Sequence, residues 1–139
     1  MILGLGFLYA CSDSGHEHIN AEGMVLMLDG EEIFRYEAPN DPGTPITVEE
    51  GQTLGPLQIM FIDRDGELFI TDNPEFNLQW TIQDTDVARI EQLPGDEWVI
   101  NLIGVNAGET QVMFEVFHID HSDFETLWFD LVTIAPTED

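Results

Sequence analysis

From Met24 onward, apolar and polar residues alternate in short runs closed by turn residues. Period two of this kind marks strands with one buried and one wet face. The clearest case is Phe76-Asn77-Leu78-Gln79-Trp80-Thr81-Ile82-Gln83, where the apolar residues share one face. Leu57, Ile59 and Phe61 form a similar stripe. The same reading predicts strands near 24–28, 32–37, 87–92, 97–103, 110–118 and 126–134. Asp29-Gly30, Pro42-Gly43, Asp65-Gly66, Pro94-Gly95 and Ala107-Gly108 supply the turns between them. The stretch 38–56, rich in Pro, Gly, Thr and Glu, reads as a long loop with one short edge strand. No stretch has the period of an amphipathic helix. An all-β fold follows, a single sandwich of about seven to nine strands over residues 23–136.

Some strands are apolar on both sides. Val112, Phe114 and Val116 alternate with Met113, Glu115 and Phe117, and Trp128, Val132 and Ile134 alternate with Leu127, Phe129 and Leu131. Met60 and Ile62 add to the outward set. A lone sandwich needs only one apolar face per sheet. The second is expected to lie under the 38–56 loop or against another subunit.

The first residues follow a different pattern. Met1 to Ala10 are apolar and uncharged, too few to span a bilayer as a helix but suited to the apolar region of an export signal. Leu8-Tyr9-Ala10-Cys11 resembles the lipobox of bacterial lipoproteins, which implies lipidation of Cys11. Residues 1–11 are then a signal peptide ending at that cysteine, and 12–22 a flexible arm carrying histidine and acid. The expected location is extracytoplasmic: outer membrane, periplasm or bacterial cell surface. With Cys11 the single cysteine, an internal disulfide framework is excluded.

Charge narrows the partners. The 139 residues carry 28 acidic side chains against Arg35, Arg64 and Arg89, with no lysine, for a net charge of −25. Nucleic acid and anionic membrane surfaces demand a basic face, so neither is expected, and membrane contact rests on the lipid anchor alone. Such a chain attracts cations; its acidity also serves solubility or a salty habitat.

Trp80-Thr81-Ile82 with Asp86-Val87-Ala88-Arg89-Ile90, followed by Ile103-Gly104-Val105-Asn106-Ala107-Gly108-Glu109-Thr110, resembles bacterial immunoglobulin-like domains of the BIG2 type. The likeness covers about half of the chain. It implies an Ig-like sandwich acting as a non-enzymatic spacer or adhesive module. In keeping with that, the sequence carries no nucleophile motif, phosphate-cradling loop or nucleotide fingerprint.

The histidines come in two tight pairs, His16-Glu17-His18 and His118-Ile119-Asp120-His121, the second followed by Ser122 and Asp123. In extended chain, residues two apart share a side, so His16 and His18 can face one ion. The segment 120–123 reads as a hairpin tip able to bring His118 and His121 together. Four imidazoles, or three with Asp123, suit zinc, copper or nickel. The alternative is four surface histidines in acidic loops. Asp63, Asp65 and Glu67 surround the turn glycine Gly66 and are calcium candidates, although a plain hairpin turn explains them as well.

The expected function is therefore non-enzymatic transition-metal binding by a surface or periplasmic lipoprotein. The alternatives are calcium-dependent self-assembly into an oligomer or filament, and an adhesive or spacer role.

Overall fold

Period-two alternation becomes strand wherever it occurs. The computed structural model describes residues 18–38 and 43–136, and among these it contains eleven strands and no helix. They are β1 (Gly23–Leu28), β2 (Glu31–Glu37), β3 (Ile46–Glu49), β4 (Thr53–Ile62), β5 (Leu68–Phe69), β6 (Phe76–Ile82), β7 (Ala88–Gln92), β8 (Val99–Gly104), β9 (Gly108–His118), β10 (His121–Glu125) and β11 (Phe129–Ile134). One sheet runs β2-β1-β4-β8-β7, with β5 on the edge of β4 beyond β8. The other runs β10-β9-β11-β3, with β6 on the free side of β9. The expected all-β sandwich is the observed fold. It has more strands than expected, the additional ones being the short β5 and β10.

The two sheets close over one core. Met24, Leu26, Leu57, Ile59, Phe61, Ile100 and Leu102 come from the first sheet. Leu78, Val112, Phe114, Val116, Phe129 and Leu131 come from the second. Phe61 lies at its centre, with Trp98 and Phe124 edge-on at 5.4 and 5.9 Å between ring centroids. Edge-to-face pairs of this kind add stabilisation beyond the area they bury.

Two segments differ from the sequence reading. The stretch 38–56 holds the expected short edge strand, β3, paired in parallel with β11, but its last residues are not loop: β4 begins at Thr53. The β4–β8 register slips between Leu54 and Leu57, at Gly55-Pro56. The slip accommodates a proline that has no N–H to give the ladder. Gly55 has φ +154°, and a Cβ there would collide with the Asn101 side chain and the Ile100 carbonyl. The expected strand 126–134 starts only at Phe129. Before it, Thr126 breaks the ladder: its N–H donates to the Phe114 carbonyl, and its hydroxyl accepts from the Phe114 N–H. β10 and β11 thus lie end to end along one edge of β9.

The outward faces of the two sheets are unlike. On the second sheet, Met113, Phe117 and Val132 are half-buried and Ile134 is exposed among Asn77, Gln79, Thr81, Gln111, Glu115 and Asp130, a mixed face. On the first sheet, Val25, Met27, Met60, Ile62, Val99 and Ile103 face away from the core on the three central strands. Val25 and Ile62 are buried although they stand outside the core. Arg35, with Glu32 and Glu37, borders this stripe on β2; Arg89 and Glu91 border it on β7.

Candidate metal site

Residues 110, 112, 114, 116 and 118 of β9 alternate inward, so parity alone buries His118. Its ring lies 4.8 Å from Phe76 between centroids, and its Nε2 is 3.0 Å from Glu75 Oε1. The buried Nδ1 has no hydrogen-bond partner among the described residues. Ile119 and Asp120 then turn the chain, with Ile119 at φ +63°, a conformation costly for a β-branched residue. β10 returns with His121 directly opposite His118, their ring centroids 5.5 Å apart. The second histidine pair does meet across the bend.

Asp123 is not at the hairpin tip but on β10, in a bulge. Ser122 pairs with Phe117 and Phe124 with Val116, leaving Asp123 as the extra residue. A bulge re-aims a side chain. Here Phe124 enters the core while the Asp123 side chain, 6% exposed, turns to the N-terminal arm. Its Oδ1 lies 2.6 Å from His18 Nδ1, and its Oδ2 accepts the Ile19 N–H at 2.6 Å. Burial acts to raise the Asp123 carboxyl, but the hydrogen bonds from His18 and the Ile19 N–H outweigh it, and the group lies below its ordinary value.

The described part of the expected flexible arm, 18–22, is thus packed onto the sandwich. Ile19 is 5% exposed within the core, and the Glu22 N–H donates to the Ile62 carbonyl at 2.7 Å. Apolar burial of one side chain fixes its neighbours in place.

His18, His121 and Asp123 each offer a donor atom, and these atoms lie within 4.8 Å of one another. Both histidines are exposed, with side chains 57% and 51% accessible. His121 Nδ1 is 3.3 Å from Asp120 Oδ1. His118 adjoins this trio without belonging to it, because Glu75 and Phe76 hold its ring. Glu75 and the bulge at Asp123 were not foreseen; no periodicity signals either. His16 and Cys11 lie outside the described residues.

The calcium candidates form a turn. Asp63 Oδ1 accepts the N–H groups of Asp65 and Glu67 at 2.8 and 2.9 Å, closing the β4–β5 hairpin around Gly66 at φ +83°. One carboxylate oxygen is therefore engaged by backbone. Asp63, Asp65 and Glu67 do not form a trio of converging donors.

No protein-family model matches the chain, and no curated protein matches it. Among solved structures, it is similar to domains 4 and 5 of the S-layer protein SbsC, with 18% identity and a TM-score of 0.47. The match covers 73% of this chain and 54% of that one, about half of its length.

Proposed function

We propose that this chain is a non-enzymatic structural module of a bacterial cell surface, an Ig-like sandwich that assembles with copies of itself. The observation that carries the reading is the outward face of the first sheet. Its half-buried apolar residues Met27, Met60, Val99 and Ile103, beside the already buried Val25 and Ile62, are bordered by two of the chain's three arginines. A second copy is the occupant that suits it, since apolar area is covered and each arginine meets an acid-rich surface. With −25 on every copy, repulsion keeps subunits apart until salt or divalent cations screen it. Export and a lipid on Cys11 fit this role, the lipobox-like Leu8-Tyr9-Ala10-Cys11 being their support.

The test is mass in solution by light scattering, in low salt, in calcium and after chelation, for the native chain and for Met60→Glu. The native chain is expected to form large particles in calcium that chelator dissolves. Met60→Glu is expected to stay monomeric with little change in thermal midpoint. A native chain that is monomeric throughout overturns assembly and leaves a spacer or adhesive module.

Transition-metal binding is a second reading, favoured by the convergence of His18, His121 and Asp123. The two readings use separate surfaces and are compatible in one protein.

A further inference from the structure

We propose that one zinc-class divalent ion, held by His18, His121 and Asp123, clamps the N-terminal arm to the β9–β10 hairpin. This rests on the metal-binding reading and adds to it a consequence: order in the arm becomes linked to the ion.

The three donors come from two places far apart in sequence. His18 lies on the arm, and His121 and Asp123 lie on β10. An ion bound by all three necessarily ties arm to hairpin. Two imidazoles and a carboxylate are a donor set for zinc, copper or nickel rather than calcium, which takes oxygen. Three protein ligands leave a fourth position for water or an outside ligand. Donors already within 4.8 Å need small side-chain rotations to reach bonding distance, and two half-exposed imidazoles have that freedom.

The surroundings suit a site. Ligating carboxylates and imidazoles are usually oriented by an outer partner. Here the Ile19 N–H fixes Asp123 Oδ2 and leaves Oδ1 toward His18. Asp120 Oδ1 stands 3.3 Å from His121 Nδ1 and helps to orient that ring. The second, independent observation is His118. It is almost wholly buried beside His121, edge-on to it, its Nε2 held by Glu75 and its Nδ1 without a partner among the described residues. A buried imidazole with an unused lone pair is costly in a metal-free protein. Beside His121, packed on Phe76, its ring is a rigid wall that limits where the His121 imidazole can turn.

The experiment is a zinc titration of the full chain, purified without affinity nickel and read by competition with a chromophoric chelator. It is paired with hydrogen exchange at the Ile19 amide. The expected result is binding of about one ion per chain and slower Ile19 exchange on binding. His121→Ala should weaken binding by about tenfold or more and remove the zinc-induced protection. It should not change metal-free Ile19 exchange, because His121 does not touch the arm's own hydrogen bonds to Asp123. Binding lost in His121→Ala but with Ile19 exchange indifferent to zinc overturns the clamp and leaves the metal reading standing. No binding at micromolar zinc, or binding indifferent to His121→Ala, overturns both.

Discussion

One row of β9 passes through two very different neighbourhoods. Thr110, Val112, Phe114, Val116 and His118 all point inward. At the middle of the row, Phe114 stacks on Phe129 at 5.8 Å among apolar neighbours. At its end, His118 occupies an equally buried place but meets Glu75, His121 and the bulge at Asp123. Strand parity buries whatever residue falls on the inward phase; chemistry decides what that burial costs or contributes. In the centre it yields packing. At the corner it yields a polar group with one nitrogen satisfied and one not.

The sharpest way to test this contrast is to truncate both positions. Phe114→Ala removes a ring that is 1% exposed and should cost about 3–5 kcal/mol, read as a lowered urea midpoint. That is a large part of a domain's usual margin of about 5–15 kcal/mol. His118→Ala should cost less, about 1–3 kcal/mol, because the lost ring contact with Phe76 is offset by removal of an unpaired polar atom. His118→Phe should come within about 1 kcal/mol of the native chain, since the shape is kept and the polar atom removed. Equal losses for Phe114→Ala and His118→Ala would erase the distinction between centre and corner.

The row itself was legible in the sequence, and the corner only in part. Alternation in Phe76–Gln83 fixed which residues face inward, and in 110–118, apolar on both sides, it fixed which residues share a face. It failed where the backbone departs from that period. Gly55-Pro56 hides the first four residues of β4, Thr53 to Pro56, behind loop-like composition, and Thr126 interrupts what reads as continuous strand. The bulge at Asp123 escapes for the same reason: one extra residue shifts the phase so that Phe124, not Asp123, takes the inward place. The meeting of His118 and His121 was readable, since a two-residue turn puts them opposite each other. The approach of His18 from more than a hundred residues away was not: it follows from Ile19 burying in the core, and one isoleucine in an acidic arm carries no periodic signal.

The least costly interaction to break lies on the far side of the first sheet, where charge sits in water rather than in a corner. Arg35 holds Glu32 by two hydrogen bonds of 2.8 Å, and both side chains are more than a third exposed. The hydrogen bond from Arg35 lowers the Glu32 carboxyl below its ordinary value, outweighing burial, which acts to raise it. A depressed acid stabilises the fold above its unfolded pKa, and that contribution disappears as pH falls through the folded value. Solvent screening keeps it small, at about 0.2–1 kcal/mol. Glu32→Gln should therefore lower the urea midpoint slightly at pH 7, and the difference from the native chain should vanish in acid below the carboxylate range. High salt should shrink the same difference at neutral pH, because an exposed pair is screened. If Glu32→Gln instead rivalled His118→Ala, an exposed ion pair would stabilise this fold as much as the buried corner does, and burial would no longer separate the regions of this protein.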